Sequence, residues 1–152
     1  MTFLFAAEKT LGKLAKWLRL LGFDTVFETG IFRDNFVEDL EPERILLTRT
    51  NWIRRYYSDH NPIFVESNDP WCQLKQVIRE LGIKQNDTRP FSRCLLCNDE
   101  IIAIEKELIF GKIPDYIWET NSVFQTCPAC NRIYWPGSHT QRSMERIEEL
   151  FR

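Results

Sequence analysis

The stretch Phe5–Thr25, FAAEKTLGKLAKWLRLLGFDT, decides how the rest of the chain is read. Phe3-Leu4-Phe5-Ala6-Ala7 is a short apolar run of the kind that forms a buried strand, and it ends abruptly on an acid, Glu8. Leu11, Leu14, Ala15, Leu18 and Leu21 then recur at helical spacing, with Lys13, Lys16 and Arg19 on a polar arc. Gly22 stops the helix. Thr25–Glu28 reads as a second strand. A strand, a short amphipathic helix and a second strand point to a parallel βαβ unit, so the exposed acid at the strand exit needs a reason.

The pattern continues outward. A short helix is expected from Asp34, its cap, to Leu40, with Pro42 ending it. Ile45–Thr48 reads as a third strand, residues 51–58 as a helix, and Ile63–Val65 as a fourth strand. Asp69-Pro70 starts another helix, which turns Leu74, Val77, Ile78 and Leu81 inward and stops at Gly82. This alternation predicts an α/β fold, a parallel sheet covered on both faces. The polar run Lys84–Pro90 reads as a junction, which gives two expected domains, 1–88 and 89–152, with a final helix from about Thr140 to Phe151.

The chain has 152 residues, 43% hydrophobic and 28% charged, which describes a globular protein with one core and a small appendage. No apolar run approaches the ~18 residues of a spanning helix. The N-terminus lacks the layout of a secretory signal, so an intracellular, cytoplasmic location is expected, with no membrane partner. Net charge is −2, but its distribution says more. Residues 1–23 are basic, 24–43 acidic and 44–60 basic again. Adjacent acidic and basic surfaces suit a metal site beside a phosphate site; a solvated surface of mixed charge reads equally well.

Beyond the junction lie CLLCN (Cys94, Cys97) and CPACN (Cys127, Cys130). Cysteines at this spacing sit on tight knuckles whose thiolates converge, and two knuckles supply the tetrahedral all-sulfur coordination that suits zinc. Protein fills all four positions, so the zinc would be structural. Redox-active pairs or coincidence are the other readings. The 29 residues between the pairs leave room for a strand or helix in the insert. Cys72 has no partner in sequence and is expected to be a buried small residue.

In a parallel sheet, ligands bind beyond the carboxyl ends of the strands. Glu8 follows the first strand, Asp34 follows the second, and Thr48-Arg49-Thr50 leave the third. Two or three carboxylates converging there would hold Mg2+ or Mn2+ for phosphodiester hydrolysis, with Lys13, Lys16, Arg49 and Arg54 holding phosphates. Each acid also reads as a helix cap or a first-turn charge.

LGKLAKWLRLLGFDT (11–25), ILLTRT (45–50), FVESNDPWCQLKQVI (64–78), FSRCLLCN (91–98) and CPACNRIYWPGSH (127–139) together resemble the Mut7-C family, in the same order and over about Phe3 to Leu150. The resemblance implies a PIN-like α/β/α domain followed by a zinc ribbon. It further implies RNA cleavage with a divalent metal, and zinc held by Cys94, Cys97, Cys127 and Cys130. Glu8 falls where the family usually has Asp, and Thr50 where it usually reads Leu-Leu-Thr-Arg-Asp. Asp24 and Asp34 match acids of the family. Carried over, the resemblance makes Glu8, Asp34 and Asp24 the catalytic set. Two further readings stay open: an RNA-binding module that no longer cuts, and a ribbon that docks a protein partner.

Overall fold

Leu4–Ala7 forms β1, every residue of it from Phe5 on fully buried, and this run is the middle of the molecule's main sheet. A tight turn at Lys9–Leu11 leads into α1, Gly12–Leu20. A side chain at Gly12 would meet the Phe27 ring at 3.1 Å, which explains a glycine inside an otherwise strong helical pattern. After α1 come β2 (Asp24–Phe27), β3 (Ile45–Thr48), α2 (Asn51–Tyr56), β4 (Ile63–Phe64) and α3 (Pro70–Leu81). This computed structural model describes residues 2–29 and 35–152. Asp34 therefore lies outside the described residues. The described remainder of the expected second helix, Asn35–Leu40, is a run of turns.

All four strands are parallel, in the order β2-β1-β3-β4. The chain steps from β1 one way to β2 and then crosses to β3 on the other side, which puts the topological switch point between β1 and β3. Leu14, Ala15 and Leu18 bury one face of α1, and Leu74, Val77 and Ile78 one face of α3. The two helices meet through Trp17 and Trp71, with ring centroids 5.1 Å apart. The Asp69 side chain caps α3 by accepting from the Cys72 amide, and Gly82 ends it in the left-handed conformation. Cys72 itself is exposed, contrary to expectation, because it stands in the first turn of α3, away from the inward Leu74 face. β4 is an edge strand. Its outer backbone is covered by a buried side chain: Gln76 donates to the Phe64 carbonyl and accepts from the Glu66 amide.

The first compact unit runs to Asn98 and the second covers 99–152. In the first, the end of the polar junction and the residue after it lie across the end of α1: the Arg89 and Phe91 amides donate to the Leu21 and Leu20 carbonyls. Gly22, at φ +93°, is needed there, since a side chain would meet the Arg89 carbonyl oxygen at 2.4 Å. The second unit contains β5 (Ile102–Ile104), α4 (Asp115–Thr120), β6 (Phe124–Thr126), β7 (Ile133–Tyr134) and α5 (Ser138–Leu150). Its strands make an antiparallel sheet in the order β5-β6-β7. The insert between the cysteine pairs thus carries β5, α4 and β6. Among the described residues no helix is long and apolar enough to cross a membrane.

Candidate functional site at the strand exits

Glu8 is the first residue past β1, and it sits in the switch-point crevice. The ladder continues through it: its amide donates to the Leu47 carbonyl at 3.2 Å. The side chain is only 3% exposed. Oε1 accepts from the Arg49 backbone amide at 2.6 Å and from the Thr10 hydroxyl at 2.9 Å, and Oε2 accepts from the Thr50 hydroxyl at 3.0 Å. All three donors are neutral. Among the described residues no cation forms an ion pair with this carboxylate. A buried negative charge held only by neutral dipoles keeps its field, and one lone pair of Oε2 has no donor in this set.

The second acid at this edge is Glu28. Ala7 is in register with Phe27, so Glu8 and Glu28 leave adjacent parallel strands side by side. The Glu28 amide donates to the Ala7 carbonyl, and its Oε2 accepts from the Lys9 amide at 3.2 Å. Sequence reasoning missed this residue as a site candidate. The signal was available, since Glu28 closes the second apolar run as Glu8 closes the first.

Asp24 lies elsewhere. It is in register with Leu4 at the start of β2, so the structure places it about 13 Å along the strands from the Glu8–Glu28 pair, at the opposite edge of the sheet. There its Oδ1 accepts from the buried Arg44 guanidinium at 2.9 Å and from the Asn98 side-chain amide at 2.7 Å. Burial pushes the Asp24 carboxyl up, but the Arg44 and Asn98 hydrogen bonds and the Arg44 and Arg93 charges outweigh it, so it is held below the usual carboxylate range.

The cations also separate. Lys13 and Lys16 are exposed on α1, with Lys13 in the first turn beside the strand exits and Lys16 about 4.5 Å further along. Arg54 is exposed, its guanidinium 5.2 Å from the Phe64 ring centre. The Arg49 guanidinium, expected to hold phosphate, is instead spent on the chain. It donates to the Val65, Glu66 and Ser67 carbonyls and to the Asn68 side chain, and so shapes the loop after β4. Arg19, placed by spacing on the polar arc, is buried and donates to the carbonyls of Thr25, Leu95 and Leu96. Burial lowers its pKa, opposed by the negative fields of Cys94, Cys97 and Asp24.

The ligand atoms of Cys94, Cys97, Cys127 and Cys130 all lie within 4.8 Å of one another. A tetrahedron with 2.3 Å metal–sulfur bonds has sulfur–sulfur edges of roughly 3.8 Å, so the set fits one metal ion and is consistent with a structural zinc. The Cys97 amide points at the Cys94 sulfur at 3.4 Å, as a metal knuckle requires.

The chain thus combines a four-stranded parallel α/β sheet, with Glu8 at its switch point and Glu28 at the neighbouring strand exit, with four thiols positioned to hold a metal ion. The chain belongs to the Mut7-C RNAse domain family, whose model matches residues 4–147, and that membership points to a nuclease-type function and to RNA. Comparison with curated proteins and with solved structures returns no match.

Proposed function

We propose that this chain cleaves RNA phosphodiesters with a divalent metal, Mg2+ or Mn2+, held at the strand exits by Glu8 and Glu28 and, on the sequence, by Asp34. The observation that carries the reading is the buried Glu8 carboxylate, which neutral donors fix in place while leaving its charge uncancelled. Such a group is a preorganised ligand for a cation. A metal bound there supplies a Lewis acid and a water acidic enough to attack phosphorus. The chain's own residues do the rest. The Arg49 amide and the Thr10 and Thr50 hydroxyls hold the Glu8 carboxylate in one orientation. Lys13, Lys16 and Arg54 bind the phosphate backbone without reading bases. Cys94, Cys97, Cys127 and Cys130 hold zinc as a structural element. The same reading places the chain in the cytoplasm, where thiols stay reduced.

Thr50 favours a second reading. It stands where the resemblance expects an acid, and its hydroxyl donates to Glu8 in place of adding charge. In this reading the chain binds RNA and does not cut it. Incubating the zinc-loaded chain with end-labelled single-stranded RNA and Mn2+ separates the two. Cleavage that Glu8→Gln abolishes while RNA binding persists supports the nuclease. Salt-dependent binding without cleavage supports the second reading, and no binding at all sinks both.

A further inference from the structure

We infer that the exposed face of α2 is a stacking platform for unpaired RNA bases, built by Trp52 and Tyr56 with Arg55 between them. The inference rests on the RNA reading above and adds the subsite that would distinguish single-stranded from duplex substrate.

Positions 52, 55 and 56 are spaced i, i+3, i+4 and therefore share one helix face. Trp52 is 61% exposed and Tyr56 76%, an unusual state for two large aromatic rings that stand four and eight residues past the end of β3. The helix keeps its aliphatic residue, Ile53, buried, so the outward face is aromatic and cationic with no aliphatic anchor. That composition suits base stacking flanked by an arginine. The rings are also held. Both pack against Tyr57, at centroid distances of 6.2 Å from Trp52 and 5.0 Å from Tyr56. Tyr57 is half-buried and packs against the core cluster of Ala6, Phe36, Val37, Leu46 and Ile53, which holds the ring that supports the other two. Position completes the argument. Residue 50 holds Glu8, and α2 starts at the next residue, so the platform lies within about 9 Å of helix rise from the strand exits.

The test is fluorescence anisotropy with three labelled probes of equal length at one salt concentration: oligouridine, the same backbone without bases, and an RNA duplex. It uses the zinc-loaded full chain, Trp52→Ala/Tyr56→Ala, and Trp52→Phe/Tyr56→Phe. The account expects the alanine variant to bind oligouridine about tenfold more weakly. Its affinity for the abasic strand and its salt dependence should be unchanged, and the phenylalanine variant should bind as the wild type does. Wild-type binding to oligouridine that the alanine variant retains overturns the platform and leaves the RNA reading standing. Absence of wild-type binding to all three probes overturns both. A wild-type dimer that the alanine variant turns into a monomer assigns the face to a second copy and overturns the platform.

Discussion

The two edges of the parallel sheet each carry a carboxylate in a hydrogen-bond network, and the networks differ in kind. At the carboxyl edge Glu8 is held by an amide and two hydroxyls, all neutral. At the amino edge Asp24 is held by the Arg44 guanidinium as well as by Asn98. A cation cancels the charge it binds, whereas neutral dipoles only position it. The amino edge therefore reads as a brace. Asn98 also accepts from the Thr25 amide, and Arg19 reaches the Leu95 and Leu96 carbonyls, so α1, β2 and the first cysteine knuckle are fastened together. The carboxyl edge keeps an unspent charge where parallel sheets bind ligands.

Removing the metal should produce the largest effect. Chelation should release zinc from the four cysteines and destabilise the chain by more than about 5 kcal/mol, because a structural zinc contributes its binding energy to folding. A thermal melt with and without chelator, with a metallochromic dye to count zinc, checks this. An unchanged melt, or thiols that pair as disulfides, would show that the knuckles do not hold a metal.

Replacing Asp24 by Asn comes next. It leaves the buried Arg44 with the exposed Glu41, 3.1 Å from its Nε, as its remaining ion-pair partner and should cost about 1 kcal/mol, reduced from the value for a fully buried pair because Asp24 is 27% exposed and Glu41 stays in place. The substitution should leave Mn2+ affinity unchanged, which a urea titration and a metal titration on the same variant can test together. A pH series sharpens the point. The folded Asp24 carboxyl is depressed, so its stabilising contribution is present above the ordinary Asp value of about 4 and is lost as pH falls through its lower folded value. The wild-type urea midpoint should fall more steeply below about pH 4 than that of Asp24→Asn. Parallel curves would mean that the Arg44 pairing adds no stability.

An effect on stability no larger than this is expected from Thr50→Asp. A second carboxylate facing Glu8 should cost the metal-free chain about 1 kcal/mol through like-charge repulsion, and should tighten Mn2+ by about tenfold. Mn2+ affinity that stays at the wild-type value would show that residue 50 does not face the ion.

Much of the sheet was legible because its strands are short apolar runs closed by polar residues, and α3 because Asp69-Pro70 and Gly82 mark its ends. The edges were harder. Asp24 and Glu8 sit in the same quoted stretch, but one opens a strand and the other closes one, and only that polarity separates brace from site. Arg19 misled because steps of three residues turn back by about 60° each, so two steps carry the row from Lys13 well around the helix toward the core. The carbonyls that receive Arg19 come from residues 95 and 96, which local spacing cannot foresee. Arg49 looked like a phosphate ligand for the same reason, its carbonyl partners lying in the loop after β4.

The central claim is that the Glu8 edge carries an uncancelled charge that binds a divalent cation distinct from zinc. Titrating Mn2+ into the zinc-loaded chain, followed by electron paramagnetic resonance of the unbound ion, tests it directly. The account predicts saturable binding that Glu8→Gln weakens at least about tenfold and Asp24→Asn does not change. Wild-type protein that leaves the Mn2+ signal undiminished, or equal binding by wild type and Glu8→Gln, would contradict it.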